Sequence, residues 1–139
     1  MTKAKELLEV MPITEMANFA QPDVDIPGCI HIWSVGDKKI YHEPRIKYYL
    51  QKCGKGESVE VTIEENPRII GKAKLRKKIR KFLMRFVKET KPLLIKYWHE
   101  AIYMTRSEQN QLLDEIEKLI NKVWLRRRLS NAYTSRSSS

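Results

Sequence analysis

The sequence predicts an α+β fold, a small antiparallel meander of about four short strands packed against two or three C-terminal amphipathic helices. Three observations predict it. From Cys29 to about residue 71 the pattern is that of strands, with apolar residues alternating with polar ones, whereas from residue 73 onward they recur at spacings of three and four. Turn signals such as Gly36-Asp37-Lys38-Lys39 and Cys53-Gly54-Lys55-Gly56 punctuate the first region. Strands come first and helices after, instead of alternating with them, which argues for one sheet whose apolar face the helices cover.

In chain order, Lys3 to Phe19 carries Leu7, Leu8, Met11 and Met16 but is interrupted by Pro12, and reads as a short helix followed by a loop. The breaker-rich stretch Gln21 to Gly28 reads as a connector, so residues 1–27 form an N-terminal arm. Cys29 to Val35 is β-branched and aromatic, and with Ile40-Tyr41 across the turn it predicts a hairpin. Arg45 to Leu50 predicts the next strand. Ser58 to Glu64 alternates without a break, with Val59, Val61 and Ile63 on one side. Arg68 to Gly71 closes the sheet, which occupies 28–71. Leu75, Ile79, Phe82, Leu83 and Phe86 form the stripe of a first helix from Ala73 to Lys88. Pro92 is expected to separate it from a second, whose stripe runs from Leu93 to Ile102. Thr105-Arg106-Ser107-Glu108 is a capping-box pattern opening a third, with Leu112, Ile116, Ile120, Val123 and Trp124 on one face. The helices thus fill 73–128 and the domain 28–128, while the Ser-rich stretch 129–139 predicts a disordered tail.

Composition excludes several classes. At 139 residues and 42% apolar, the chain is long enough for one real core and needs no disulfide scaffold. No eighteen apolar residues run together, so no membrane span is expected, and acidic residues interrupt the one apolar stretch near the N-terminus. A cytoplasmic protein is the expectation, with Cys29 and Cys53 as free thiols. No cofactor is implied: phosphate-binding glycine loops and nucleophile elbows are absent. A metal site is not expected either, because Cys29, His31 and His42 make no tetrahedral ligand pattern.

Charge is the strongest functional signal. Residues 1–67 hold 8 Lys and Arg against 11 Asp and Glu, a net of −3, while residues 68–139 hold 19 against 6, a net of +13. Between Lys72 and Lys88 nine cations occur with no acidic residue. On a helix, Arg76, Lys77, Lys78, Arg80, Lys81 and Arg85 cover the whole arc opposite the apolar stripe. Lys74, Lys77, Lys78, Arg80, Lys81 and Arg85, with the cluster Arg126-Arg127-Arg128, are therefore the candidate nucleic-acid-binding residues. A merely solvated basic face has the same sequence, and the last cluster also suits a helix C-terminus. An acidic protein is the alternative partner. Neither DNA nor RNA is singled out, no base-reading motif is present, and the oligomeric state is not legible.

Two weaker signals lie on the strands. Trp33, Tyr41, Tyr48 and Tyr49 accompany Lys38, Lys39, Arg45 and Lys47, the ingredients of a stacking platform, but strand parity exposes only Tyr49 among the third strand's tyrosines. His31 and His42 with a nearby cation are the ingredients of acid/base phosphodiester cleavage, so a small ribonuclease is a further alternative.

The segments His42-Glu43-Pro44-Arg45-Ile46-Lys47, Val59-Glu60-Val61 and Pro67-Arg68-Ile69-Ile70-Gly71, together with Leu94 four residues before Trp98, give the chain a further likeness. Over about residues 30–102 it resembles a bacterial domain-of-unknown-function family of small α+β proteins found in toxin–antitoxin-like gene pairs. The resemblance implies a meander followed by helices, and an operon partner. Where the family shows Pro-Pro-His-x-His-Val, this chain has Glu43-Pro44-Arg45-Ile46-Lys47-Tyr48, so cations replace both histidines and no role of theirs carries over. The combined expectation is a non-enzymatic module contacting a nucleic-acid backbone.

Overall fold

A computed structural model describes residues 15–35 and 43–137, the side chains of 15 and 127–137 excepted. Among the described residues five strands, β1 (Glu15–Ala20), β2 (Cys29–Ser34), β3 (Arg45–Tyr49), β4 (Ser58–Thr62) and β5 (Ile69–Ile70), form one antiparallel meander in the order β1-β2-β3-β4-β5. Two helices, α1 (Lys77–Glu100) and α2 (Arg106–Ser137), follow, joined through a single 3-10 turn at Ala101–Tyr103. The expected α+β order is present.

The alternation seen in the sequence produces the inner face. Phe19, Ile30, Ile32, Ile46, Tyr48, Val59 and Val61 are buried beneath the helices. The loop expected up to Phe19 is corrected here, because Glu15–Ala20 forms β1, with Phe19 buried and Asn18 exposed across the pleat. Six residues of pairing with β2 hold it as a strand. The short helix expected before it lies outside the described residues, as does Ile40-Tyr41. The connector contributes more than a turn, since Val24 and Ile26 are fully buried. Asn121 on α2 holds it, accepting from the Asp25 N–H at 3.0 Å and donating to the Asp23 carbonyl at 3.3 Å. At its end Gly28 takes a φ of +80°, and a Cβ there would lie 2.4 Å from the Tyr49 carbonyl oxygen, so only glycine fits.

Cys29 and Cys53 are not free thiols but a disulfide, with Cα atoms 5.2 Å apart. Pairing sets Cys29 opposite Tyr49, and the turn after β3 folds Cys53 back beside it. Count and compartment argued for thiols; register brings the pair together.

Pro92 does not divide the helices. It lies inside the continuous 24-residue α1, where it removes one backbone donor. Phe86, Val87 and Thr90 before it and Leu94, Tyr97 and Trp98 after it are all buried, so packing on both sides outweighs the lost bond. The end of α1 is pinned to β2, with the Trp98 carbonyl accepting from the Val35 N–H and the Ser34 hydroxyl, each at 2.9 Å. At its other end α1 starts at Lys77 rather than Ala73, because Arg76 is extended. The capping box forms as read: the Thr105 N–H donates to Glu108 at 2.9 Å and the Glu108 N–H to the Thr105 hydroxyl at 3.1 Å. From there α2 runs on to Ser137, through most of the stretch expected to be a disordered tail. No glycine or proline stops it.

Candidate functional site

Burial of Ile79, Phe82, Leu83, Phe86 and Val87 against the sheet and α2 fixes which way α1 turns, and so points the cations outward. Lys74, Lys77, Lys78, Arg80, Lys81 and Arg85 are all exposed, as expected. At 100° per residue, Lys77, Lys81 and Lys88 fall within about 40° of one another, directly opposite the buried stripe, and make a ridge of about 16 Å. Lys78 lies on the α2 side, its Nζ 4.9 Å from the centre of the Trp124 ring. Arg80 lies on the other flank, where it shares a groove of about 440 Å³ with Pro67, Met84 and Lys88.

The second expected cluster is different. Glu89 takes Arg126 at 2.8 and 3.0 Å and stands 3.9 Å from Arg85, so two of the candidate cations share one carboxylate. The side chains of Arg127 and Arg128 lie outside those described. Among the described residues no acidic side chain forms an ion pair with Lys74, Lys77, Lys78, Arg80 or Lys81. The start of α1 accentuates this: its first turn has no acidic residue and its N-cap, Arg76, makes no side-chain capping bond. Cations there oppose the helix dipole.

The outer face of the sheet collects a second set. Register places Asn18, His31, Lys47 and Glu60 in one row across β1 to β4. His31 stacks on Trp33 at 5.9 Å and meets Tyr49 edge-on at 6.3 Å, while Lys47 lies 5.5 Å over the Tyr49 ring. The His31 Nδ1 donates to the Asn18 amide oxygen at 2.6 Å. Burial, then the charge of Lys47, holds the His31 pKa below 6.5, which keeps the ring neutral near pH 7. His42 lies outside the described residues. Arg45 is occupied by Glu60 at 3.2 Å and Glu43 at 3.8 Å. Tyr48 belongs to the other face, its hydroxyl bonded to the Pro27 carbonyl at 2.6 Å and its pKa pushed up to about 12 by burial. Sequence reasoning credited Tyr49 alone with exposure on β3; the position of His31 and Trp33 beside it follows from the β2–β3 register.

Among the described residues no group of three or more His, Cys, Asp or Glu is placed to hold a metal ion, and no helix is long and apolar enough to cross a membrane. Comparison with protein-family models, curated proteins and solved structures finds no match.

Proposed function

We propose that the protein is a binding module whose α1 ridge contacts the phosphate backbone of a nucleic acid. One observation carries the reading: Lys77, Lys78, Arg80 and Lys81 are exposed without an ion-pair partner among the described residues. Lys77 and Lys81, and Lys81 and Arg85, stand four apart, a like-charge spacing that costs a helix a few tenths of a kcal/mol per pair. The uncapped, cation-rich start of α1 adds to the same repulsion. A polyanion lying along the ridge relieves both and releases its own counterions.

Fluorescence anisotropy with a random duplex DNA and a single-stranded RNA, titrated between about 50 and 200 mM salt, tests the reading. Contact with four to six phosphates gives a log–log salt slope of roughly −4 to −5 on the duplex. Absence of binding to both probes at low salt overturns it and leaves an acidic protein as the partner for the same surface.

A further inference from the structure

A cleft of about 420 Å³ opens where the start of α1 meets the end of β3 and the middle of α2. Lys74, Arg76 and Lys78 stand at its rim, all exposed, and Leu50, Leu75 and Trp124 give it apolar walls. Gln51 adds an amide, and among the described residues no acidic one lines it. We propose that this cleft is a nucleotide site, in which a phosphomonoester is held by Lys74, Arg76 and Lys78 while the attached base packs against the apolar walls.

The chemistry narrows the ligand in three steps. A cleft of this volume falls in the range that encloses small ligands. Three cations lining one cleft, with no acidic residue in its described lining, suit a group carrying close to two negative charges, as a phosphomonoester does, better than the single charge of a backbone diester. The apolar walls then require a ligand with a flat, weakly hydrated part next to that phosphate, which free phosphate lacks. Arg76 sits close enough to pull against the burial of the Tyr48 hydroxyl, so its charge is felt inside the cleft as well as at the rim. Two other clefts lack this combination. That between α1 and the start of α2 includes Glu100, Glu108 and Glu115, and the groove beside Arg80 includes Glu65.

This site does not depend on the α1 ridge: it holds for a free nucleotide and for the phosphorylated end of a strand alike. The test is amide NMR of the full chain titrated with adenosine monophosphate, adenosine and inorganic phosphate. The proposal requires that adenosine monophosphate shift the signals of Leu50, Leu75 and the Trp124 indole, and bind at least tenfold tighter than either of the other two. Exposed-residue variants Lys74→Gln and Arg76→Gln weaken that binding at least tenfold with the spectrum otherwise unchanged, whereas Lys81→Gln on the ridge leaves it within twofold. An oligonucleotide with a 5′-phosphate then identifies the source. Tighter binding than its 5′-hydroxyl counterpart, lost in Arg76→Gln, assigns a strand end; equal binding of the two assigns the free nucleotide. Cleft signals that do not move with adenosine monophosphate, or move equally in Arg76→Gln, overturn the proposal and leave the ridge reading to its own salt slope.

Discussion

The sheet and the first turns of α1 treat positive charge in opposite ways. On the sheet side Arg45 is held by Glu60 and Glu43, Arg68 by Glu64 and Glu43, and Lys47 lies over Tyr49. On α1, among the described residues, the one carboxylate that pairs with cations between Lys72 and Lys88 is the helix's own Glu89. Arg68, the first cation of the basic half, is taken up by Glu43 and Glu64, whereas among the described residues no first-half carboxylate pairs with a cation between Lys72 and Lys88. Charge is structural in one region and left available in the other, and that is why the ridge and not the sheet carries the proposed function.

Four outcomes break or sharpen this contrast. The largest concerns the sheet: replacing Cys29 and Cys53 by serine opens a loop of 24 residues' separation and costs about 3 kcal/mol by loop-closure entropy. Urea unfolding measures it, and nucleic-acid affinity of the folded variant should stay unchanged. Next comes the inner side of α1, where the Thr90 hydroxyl is buried without a hydrogen-bond partner among the described residues. Thr90→Val should stabilise the protein by about 1 kcal/mol; a loss of that size instead would show that the hydroxyl is satisfied in solution. Smaller still, Glu89→Gln releases Arg85 and Arg126 and should raise affinity for duplex DNA a few-fold at low salt, the gain disappearing as salt rises.

The fourth is a pH dependence confined to the sheet. His31 has a folded pKa below 6.5, so as pH falls through 6.5 the unfolded chain binds the proton first. Stability is then full above 6.5 and declines as pH falls toward the folded value. Thermal melts at about pH 7.5 and about pH 5.5 should show the decline, and His31→Gln should reduce it. Glu43, Glu64 and Glu108, whose pKa values lie below 4.5, add losses of the same sign at lower pH. Because His31 lies on the outer face of the sheet and not on α1, affinity at fixed salt should not follow the melt.

What the sequence made legible was periodic or local. Val59, Val61 and Ile63 are buried as their alternation implied, the α1 stripe from Ile79 to Phe86 is core, and the Thr105–Glu108 box closes as its spacing implied. The exposed cations followed from that stripe, since one buried face determines its opposite. Features made by tertiary neighbours were not legible. Pro92 is carried inside α1 by burial on both sides, Cys29 meets Cys53 through strand register, and Arg126 meets Glu89 across 37 residues. The cleft escaped for the same reason, being assembled from the end of β3, the approach to α1 and the middle of α2.

The most direct test is the salt dependence of duplex-DNA affinity in three proteins: the wild type, the ridge variant Lys77→Gln/Lys81→Gln/Lys88→Gln, and the sheet variant Arg45→Gln/Lys47→Gln. The account predicts that the ridge variant loses about a hundredfold in affinity at low salt and that its slope falls by roughly 3, while the sheet variant stays within twofold of wild type. A ridge variant that binds like wild type, or a sheet variant that loses as much, would contradict it.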